Sequence, residues 1–118
     1  MPRDGFATTP EPPYWAVIFT SRRNATGPEA YEAMAARMAT LASEQPGCLG
    51  FESTRGEDGL GITVSYWADK RSVRQWKAVA EHVGAQQAGR DRWYEDYSVR
   101  IARVERDYTM ESSPRESI

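Results

Sequence analysis

The sequence has few of the residues that build metal, nucleotide and disulfide sites. Its 118 residues include one cysteine, Cys48, and one histidine, His82. One cysteine cannot form a disulfide within the chain, and one residue of each kind cannot make a zinc site of the usual ligands. Neither GxGxxG nor GxxxxGK[ST] occurs, so no nucleotide-binding loop is indicated. We therefore expect no bound metal and no cofactor.

Excess charge and long apolar stretches are also scarce. The net charge of −2 and the pI near 5.4 give no electrostatic reason to expect nucleic acid as a partner. The longest apolar runs have the length of a strand, so we expect no membrane span. Residues 1–13 lack the apolar segment of a signal peptide. These features predict a cytoplasmic protein.

One folded domain is expected between two polar ends. Residues 1–13 are rich in proline and threonine without an apolar period, which predicts a flexible N-terminal arm. Residues 109–118 predict a flexible tail for the same reason. Residues 14–108 carry regular apolar patterns and form the predicted domain.

Apolar periodicity divides this domain into six elements. They are strand 14–22, a helix from Pro28 to the Pro46-Gly47 pair, strands 48–55 and 60–67, a helix after Asp69, and strand 97–108. The order β-α-β-β-α-β predicts an α+β ferredoxin-like sandwich, with two helices on one face of a four-stranded antiparallel sheet. Arg103 interrupts the alternation of the last strand, so we expect a bulge or a sheet edge near Ala102.

The strand 60–67 carries large side chains on both of its faces. One face has Ile62, Val64 and Tyr66, and the other has Gly61, Thr63, Ser65 and Trp67. Two helices can cover only one of these faces. We therefore expect a second copy of the chain to cover the other, giving a homodimer packed sheet to sheet.

Two segments, EQPGCLGFES and ITVSYWADKRSVRQWKAVAEH, together with the order of the elements, resemble the antibiotic biosynthesis monooxygenase (ABM) superfamily of dimeric α+β barrels. The resemblance covers about residues 14–108. Its strongest element is a strand ending in tryptophan, an acidic helix cap, and a second tryptophan nine residues after the first. The superfamily includes cofactor-free oxygenases of polyketide aromatics, quinol oxygenases and haem-degrading enzymes.

The resemblance to the cofactor-free oxygenases carries over in part. The tryptophan that lines their substrate cavity is matched by Trp67, and the asparagine four residues earlier is replaced by Thr63. An arginine that also contributes in that group has Arg90 or Arg92 as its candidate counterpart. The resemblance thus implies a cavity beside Trp67 with altered polar groups.

The resemblance to the haem-degrading group is weaker. Trp76 matches its helix tryptophan, but Gln86 stands where the axial histidine is expected, and His82 lies one helical turn earlier. The asparagine of the first strand has no counterpart in YWAVIFTS. Two of the three signature groups are missing, so haem degradation is disfavoured.

Two residues are the candidates for catalysis. His82 is the natural general base near neutral pH, although a lone helix histidine is also often a surface residue. Trp67 shares its strand face with small side chains, which is typical of a pocket wall, although a buried ring also simply fills a core. The residues expected to bind substrate are Thr63, Trp67, Tyr66, Phe19, Trp76 and Arg90.

Two functions follow from these observations. The first is a cofactor-independent monooxygenase that oxidises an aromatic, polyketide-like or quinol-like small molecule with O2. The second is a non-catalytic dimeric barrel that binds a small ligand or has a structural role. The small side chains around Trp67 favour the first, and the departures at Thr63 and Gln86 favour the second.

Overall fold

The computed structural model describes residues 5–23, 28–88 and 94–112. In chain order the elements are β1 (Tyr14–Arg23), α1 (Pro28–Glu44), β2 (Cys48–Arg55), β3 (Leu60–Trp67), α2 (Lys70–Ala88) and β4 (Tyr94–Val104). The strands form one antiparallel sheet in the order β2-β3-β1-β4. This arrangement confirms the predicted α+β ferredoxin-like fold.

Apolar stripes attach both helices to the same side of the sheet. On α2, Val73 and Val83 are buried and Trp76 is partly buried, as the periodicity predicted. Asp69 caps this helix, since its Oδ1 accepts a hydrogen bond from the Ser72 amide at 2.8 Å. Among the described residues, neither helix is long and apolar enough to cross a membrane.

The core lies between the helices and what we call the helix-side face of the sheet. In this face, α1 packs over β2 and α2 packs over β1 and β3. Ala42 of α1, Val73 of α2 and Trp67 of β3 form the buried centre. The sheet residues of the helix-side face include Trp15, Val17, Phe19, Ser21, Ser53, Arg55, Thr63, Ser65 and Trp67.

The opposite side of the sheet, on which neither helix packs, is the open face. Its residues include Tyr14, Ala16, Ile18, Glu52, Leu60, Ile62, Val64 and Tyr66. Leu60 and Ile62 are each 42% exposed, whereas Tyr14 and Ala16 at the other end are 4% exposed. Residues 6–9 lie against that buried end, so part of the segment predicted to be a flexible arm contacts the sheet.

The last strand differs from the prediction in the residue at which it begins. It begins at Tyr94 rather than at residue 97. Of the two alternatives expected near Ala102, the sheet edge is observed, since β4 is the last strand of the sheet, and the bulge is not, because Ala102 pairs in regular register with Ala16. The irregularity lies instead between Arg22 and Arg23, opposite the beginning of β4. The alternation broken by Arg103 therefore reflects an exposed edge strand, not an extra residue.

Candidate functional site

Trp67 ends β3 and lies at the centre of the core. Its side chain is fully buried, and its indole stacks on that of Trp76 at 5.7 Å between ring centroids, with 20° between the planes. The indole Nε1 donates a hydrogen bond of 2.8 Å to Ser65 Oγ. The ring therefore has a satisfied polar group and apolar neighbours on the helix side.

A pair of hydroxyls lies further along the same face. Thr63 Oγ1 and Ser53 Oγ are 2.7 Å apart, because Ser53 of β2 is directly opposite Thr63 of β3. The pair is accessible to solvent. Each hydroxyl has one hydrogen, so while one of the two donates to the other, the second is left with a hydrogen that it can donate to an oxygen atom of a ligand.

Aromatic rings lie next to this hydroxyl pair. Phe19 of β1 is opposite Thr63 on the side away from Ser53. The Phe19 ring lies edge-on to Tyr94 at 5.3 Å and is tilted against Tyr97 at 5.6 Å. Tyr97 is 61% exposed. The face thus offers aromatic surface beside polar atoms, the combination that recognises a flat ring bearing oxygen.

Ser65, the Ser53–Thr63 pair and Arg55 form a row of polar side chains along the helix-side face, and Arg55 lies at its end. Its Nη2 donates to Ser21 Oγ at 2.6 Å, and its Nη1 donates to the carbonyls of Ser21 and Gly59. The guanidinium lies where a side chain at position 61 would be, since a Cβ on Gly61 would be 2.6 Å from Arg55 Cζ. The arginine fixes the β2–β3 hairpin to β1 and places a positive charge at that end of the row.

Tyr66 does not share this site, although it was predicted to bind substrate. It lies on the open face, where its hydroxyl donates to Glu52 Oε1 at 2.7 Å. Burial, together with the hydrogen bond to Glu52, raises the pKa of Tyr66 well above its usual range. Burial and the bond to Asp107 likewise raise the pKa of Tyr14, whose ring meets that of Tyr66 at 5.8 Å.

The other predicted site residues are distributed as follows. Phe19, Thr63 and Trp67 share the helix-side face, and Trp76 packs on it from α2. His82 lies on the exposed side of α2, next to the buried Val83. Arg90 and its alternative, Arg92, lie outside the described residues. The roles assigned to all of these residues stay predictions.

Two residues of the site were missed from the sequence, Ser53 and Arg55. The alternation of β2 with Phe51 places both on one face, but only the pairing of β2 with β3 shows which residues they meet. A glycine opposite an arginine, here Gly61 opposite Arg55, is a weak signal that a long side chain fills the gap.

Within residues 5–23, 28–88 and 94–112, no three side chains of histidine, cysteine, aspartate or glutamate come close enough together to hold a metal ion. The polar groups of the site are hydroxyls and a guanidinium, which favour an oxygen-bearing organic ligand.

Comparison with models of protein families identifies the family of this chain. The family model described as antibiotic biosynthesis monooxygenase matches residues 16–88, which span β1 to the end of α2. The chain belongs to this family. The matched range contains Phe19, Ser53, Thr63 and Trp67, so the candidate site lies within the ABM domain.

Among individual relatives, YqjZ of Bacillus subtilis, described as uncharacterized, is 50% identical over 105 residues, covering 87% of this chain and 90% of YqjZ. Jasmonate monooxygenase of Pyricularia oryzae is 39% identical over 46 residues, 39% of this chain and 21% of that protein. A solved structure of a mutant of SnoaB, a cofactor-independent oxygenase from Streptomyces nogalater, matches with a TM-score of 0.60. It is 18% identical and covers 82% of this chain and 96% of that one, a likeness that shows the fold alone.

Proposed function

We propose that this ABM protein uses O2 to oxidise a phenolic or quinol-like aromatic molecule without a cofactor. The single observation that carries the proposal is the accessible Thr63–Ser53 hydroxyl pair beside Phe19 on the helix-side face. The similarity to SnoaB and to the ABM family supports it, since SnoaB is a cofactor-independent oxygenase. The cytoplasm, predicted from the sequence, is the expected location.

The chemistry follows from the substrate. An anthrone or quinol that loses a proton becomes electron-rich enough to reduce O2 directly. For an anthrone, the ring CH2 is oxidised to C=O, one oxygen atom forms the new carbonyl, and the other leaves as water with the two hydrogens. The protein has to hold the ring, stabilise the phenolate charge and accept a proton.

Two of these tasks have candidates in the site, and the third has a candidate on the exposed side of α2. The ring stacks beside Phe19, and the phenolate oxygen accepts a hydrogen bond from one hydroxyl of the Thr63–Ser53 pair, which in turn accepts one from the other. Trp67 lies at the buried end of the same face, where its indole donates a hydrogen bond to Ser65. Its ring is covered by Trp76, so a ligand contacts it only after Trp76 moves. His82, the sole imidazole of the sequence, is the candidate proton acceptor from α2.

Oxygen uptake with a panel of anthrones and quinols tests the proposal. Thr63→Val and Ser53→Ala should each lower kcat/KM about 10- to 100-fold, since each removes either the hydrogen bond to the charged oxygen or the hydroxyl that orients its donor. Thr54→Val is the matched control, because Thr54 lies on the open face of the same strand, and its rate should stay within about twofold of wild type. An absence of uptake above background with wild type would show that the proposed function is wrong.

The second candidate is a non-catalytic barrel that binds a small ligand. The full burial of Trp67 favours it, because a covered ring cannot contact a substrate in this conformation. Ligand-induced quenching of tryptophan fluorescence without oxygen consumption would support this candidate. Jasmonate belongs in the same ligand panel, because one ABM relative is named for it.

Both candidates include the homodimer expected from the sheet. Leu60 and Ile62 leave apolar surface exposed on the open face, and a second copy packed there would cover it. Sedimentation velocity over a range of concentrations tests this, and a monomer at all of them would contradict it.

A further inference from the structure

The segment of residues 6–9, which we call the strap, crosses one end of the open face. Its Ala7 amide donates a hydrogen bond of 3.0 Å to Glu52 Oε2, although 45 residues separate the two positions. Gly50 makes room for this approach, since a Cβ there would be 3.3 Å from Ala7 Cβ. The strap is therefore fitted against β2 and not merely adjacent to it.

Two carboxylates hold the strap at separate points. Glu52 divides its two oxygens between the Ala7 amide and the Tyr66 hydroxyl. At the second point, Thr9 Oγ1 donates to the Tyr14 hydroxyl at 3.0 Å, and that hydroxyl donates to Asp107 Oδ2. The Ala7 contact is a hydrogen bond to a carboxylate, the stronger kind, and at the second point Asp107 orients the Tyr14 hydroxyl that accepts from Thr9, so both contacts favour the closed strap.

The open face is unevenly buried, and its buried end is the one that the strap contacts. Tyr14 and Ala16, at the end where the strap lies, are each 4% exposed, while Leu60 and Ile62 at the other end are 42% exposed. Phe6 of the strap is itself 57% exposed. A second copy packing flat on the sheet would need the area that the strap occupies.

We propose that the strap and a second copy of the chain compete for the open face, so that the Glu52 and Tyr14 contacts weaken dimerisation. The inference rests on the proposed homodimer for the identity of the competitor. Releasing the strap uncovers the apolar end of the face, where Tyr14, Ala16 and Tyr66 lie, and this area adds to the surface that two copies bury.

Sedimentation equilibrium on four variants tests the competition. A chain that begins at Pro10 lacks the strap, and its dimer Kd should be about tenfold or more lower than that of the full chain. A chain that begins at Gly5 retains the strap and is the matched control. Glu52→Gln loses one charged acceptor and should lower the Kd about threefold to tenfold, whereas Glu57→Gln, an exposed residue of the β2–β3 turn, should leave it within about twofold.

Hydrogen exchange of the full chain supplies the second readout, which does not depend on how a truncated chain folds. The Ala7 amide should exchange faster as the protein concentration rises and dimers form. Slower exchange of the Ala7 amide in the dimer, or an unchanged or raised Kd on removing the strap, would overturn the competition while leaving the dimer intact. Failure of both the full chain and the Pro10 chain to dimerise would overturn the dimer as well.

Discussion

Replacing Trp67 with alanine should be among the most destabilising single changes in this protein. The indole is fully buried, so the change removes the contacts with Trp76, Val73 and Ala42 and leaves a cavity at the centre of the core. Tryptophan-to-alanine changes of this kind cost about 3–5 kcal/mol. Ser65 Oγ also loses the indole N–H that donates to it. Against a typical stability of about 5–15 kcal/mol, the loss is a large share of the whole.

Urea denaturation followed by far-UV circular dichroism measures the effect. Trp67→Phe should recover part of the loss, because phenylalanine retains an aromatic ring but leaves a smaller cavity. Tyr97→Ala is the control, since Tyr97 is 61% exposed and its change should cost no more than about 1 kcal/mol. A Trp67→Ala loss below about 1 kcal/mol would refute the assignment of Trp67 to the core and favour an open pocket wall.

Three further predictions concern the caps, turns and polar contacts. Because the pKa of Tyr66 is raised in the folded protein, its neutral hydroxyl contributes stability below the ordinary tyrosine pKa of 10.0, and this stability is lost at higher pH. The Tm of Tyr66→Phe should therefore fall less steeply above pH 10.0 than the Tm of wild type. Equal slopes would contradict this prediction. The hydrogen bond from the Ser72 amide lowers the pKa of Asp69, so the ionised carboxylate contributes stability above the ordinary pKa of 3.8. The difference in Tm between wild type and Asp69→Ala should therefore shrink as the pH falls through 3.8 and below. A difference that stays constant would contradict the cap. Gly47→Ala should lower the free energy of unfolding in urea by about 2–3 kcal/mol, because φ is +85° and a Cβ would overlap Ser72. Gly5 has a similar φ of +82° but open space around it, so Gly5→Ala should cost about 1 kcal/mol or less. Equal costs would contradict the overlap.

The sequence predicted the fold well because its apolar periods are long and consistent. The stripe on α2 placed Val73, Trp76 and Val83 on one side, and all three pack inward. The alternation of β3 separated Trp67 from Tyr66 correctly, since the two lie on opposite faces. Periodicity depends only on neighbours in the chain, so a single sequence is enough to show it.

The space beside Trp67 could not be predicted in the same way. Small side chains at positions 61 and 65 suggested an opening, but each is occupied from elsewhere in the chain. The guanidinium of Arg55 lies over Gly61, and the indole of Trp67 itself bonds to Ser65. A small residue shows that room exists at its own position, but it does not show what fills that room.

The strap shows a second limit of sequence reasoning. Its contact with the sheet depends on the backbone amide of Ala7 and on the missing side chain of Gly50. Neither feature gives residues 6–9 an apolar period, so the segment resembles a polar terminus. The acceptor, Glu52, lies on a strand face that periodicity alone cannot assign to the open side of the sheet.

The stacking of Trp67 on Trp76 also provides an intrinsic spectroscopic probe. Two indoles at 5.7 Å are close enough for their electronic transitions to couple, and coupled transitions whose directions are not parallel produce a paired positive and negative band in circular dichroism. One ring belongs to β3 and the other to α2, so the band pair reports how α2 sits on the sheet. A ligand that entered between helix and sheet would change its amplitude, which permits binding to be followed without any label.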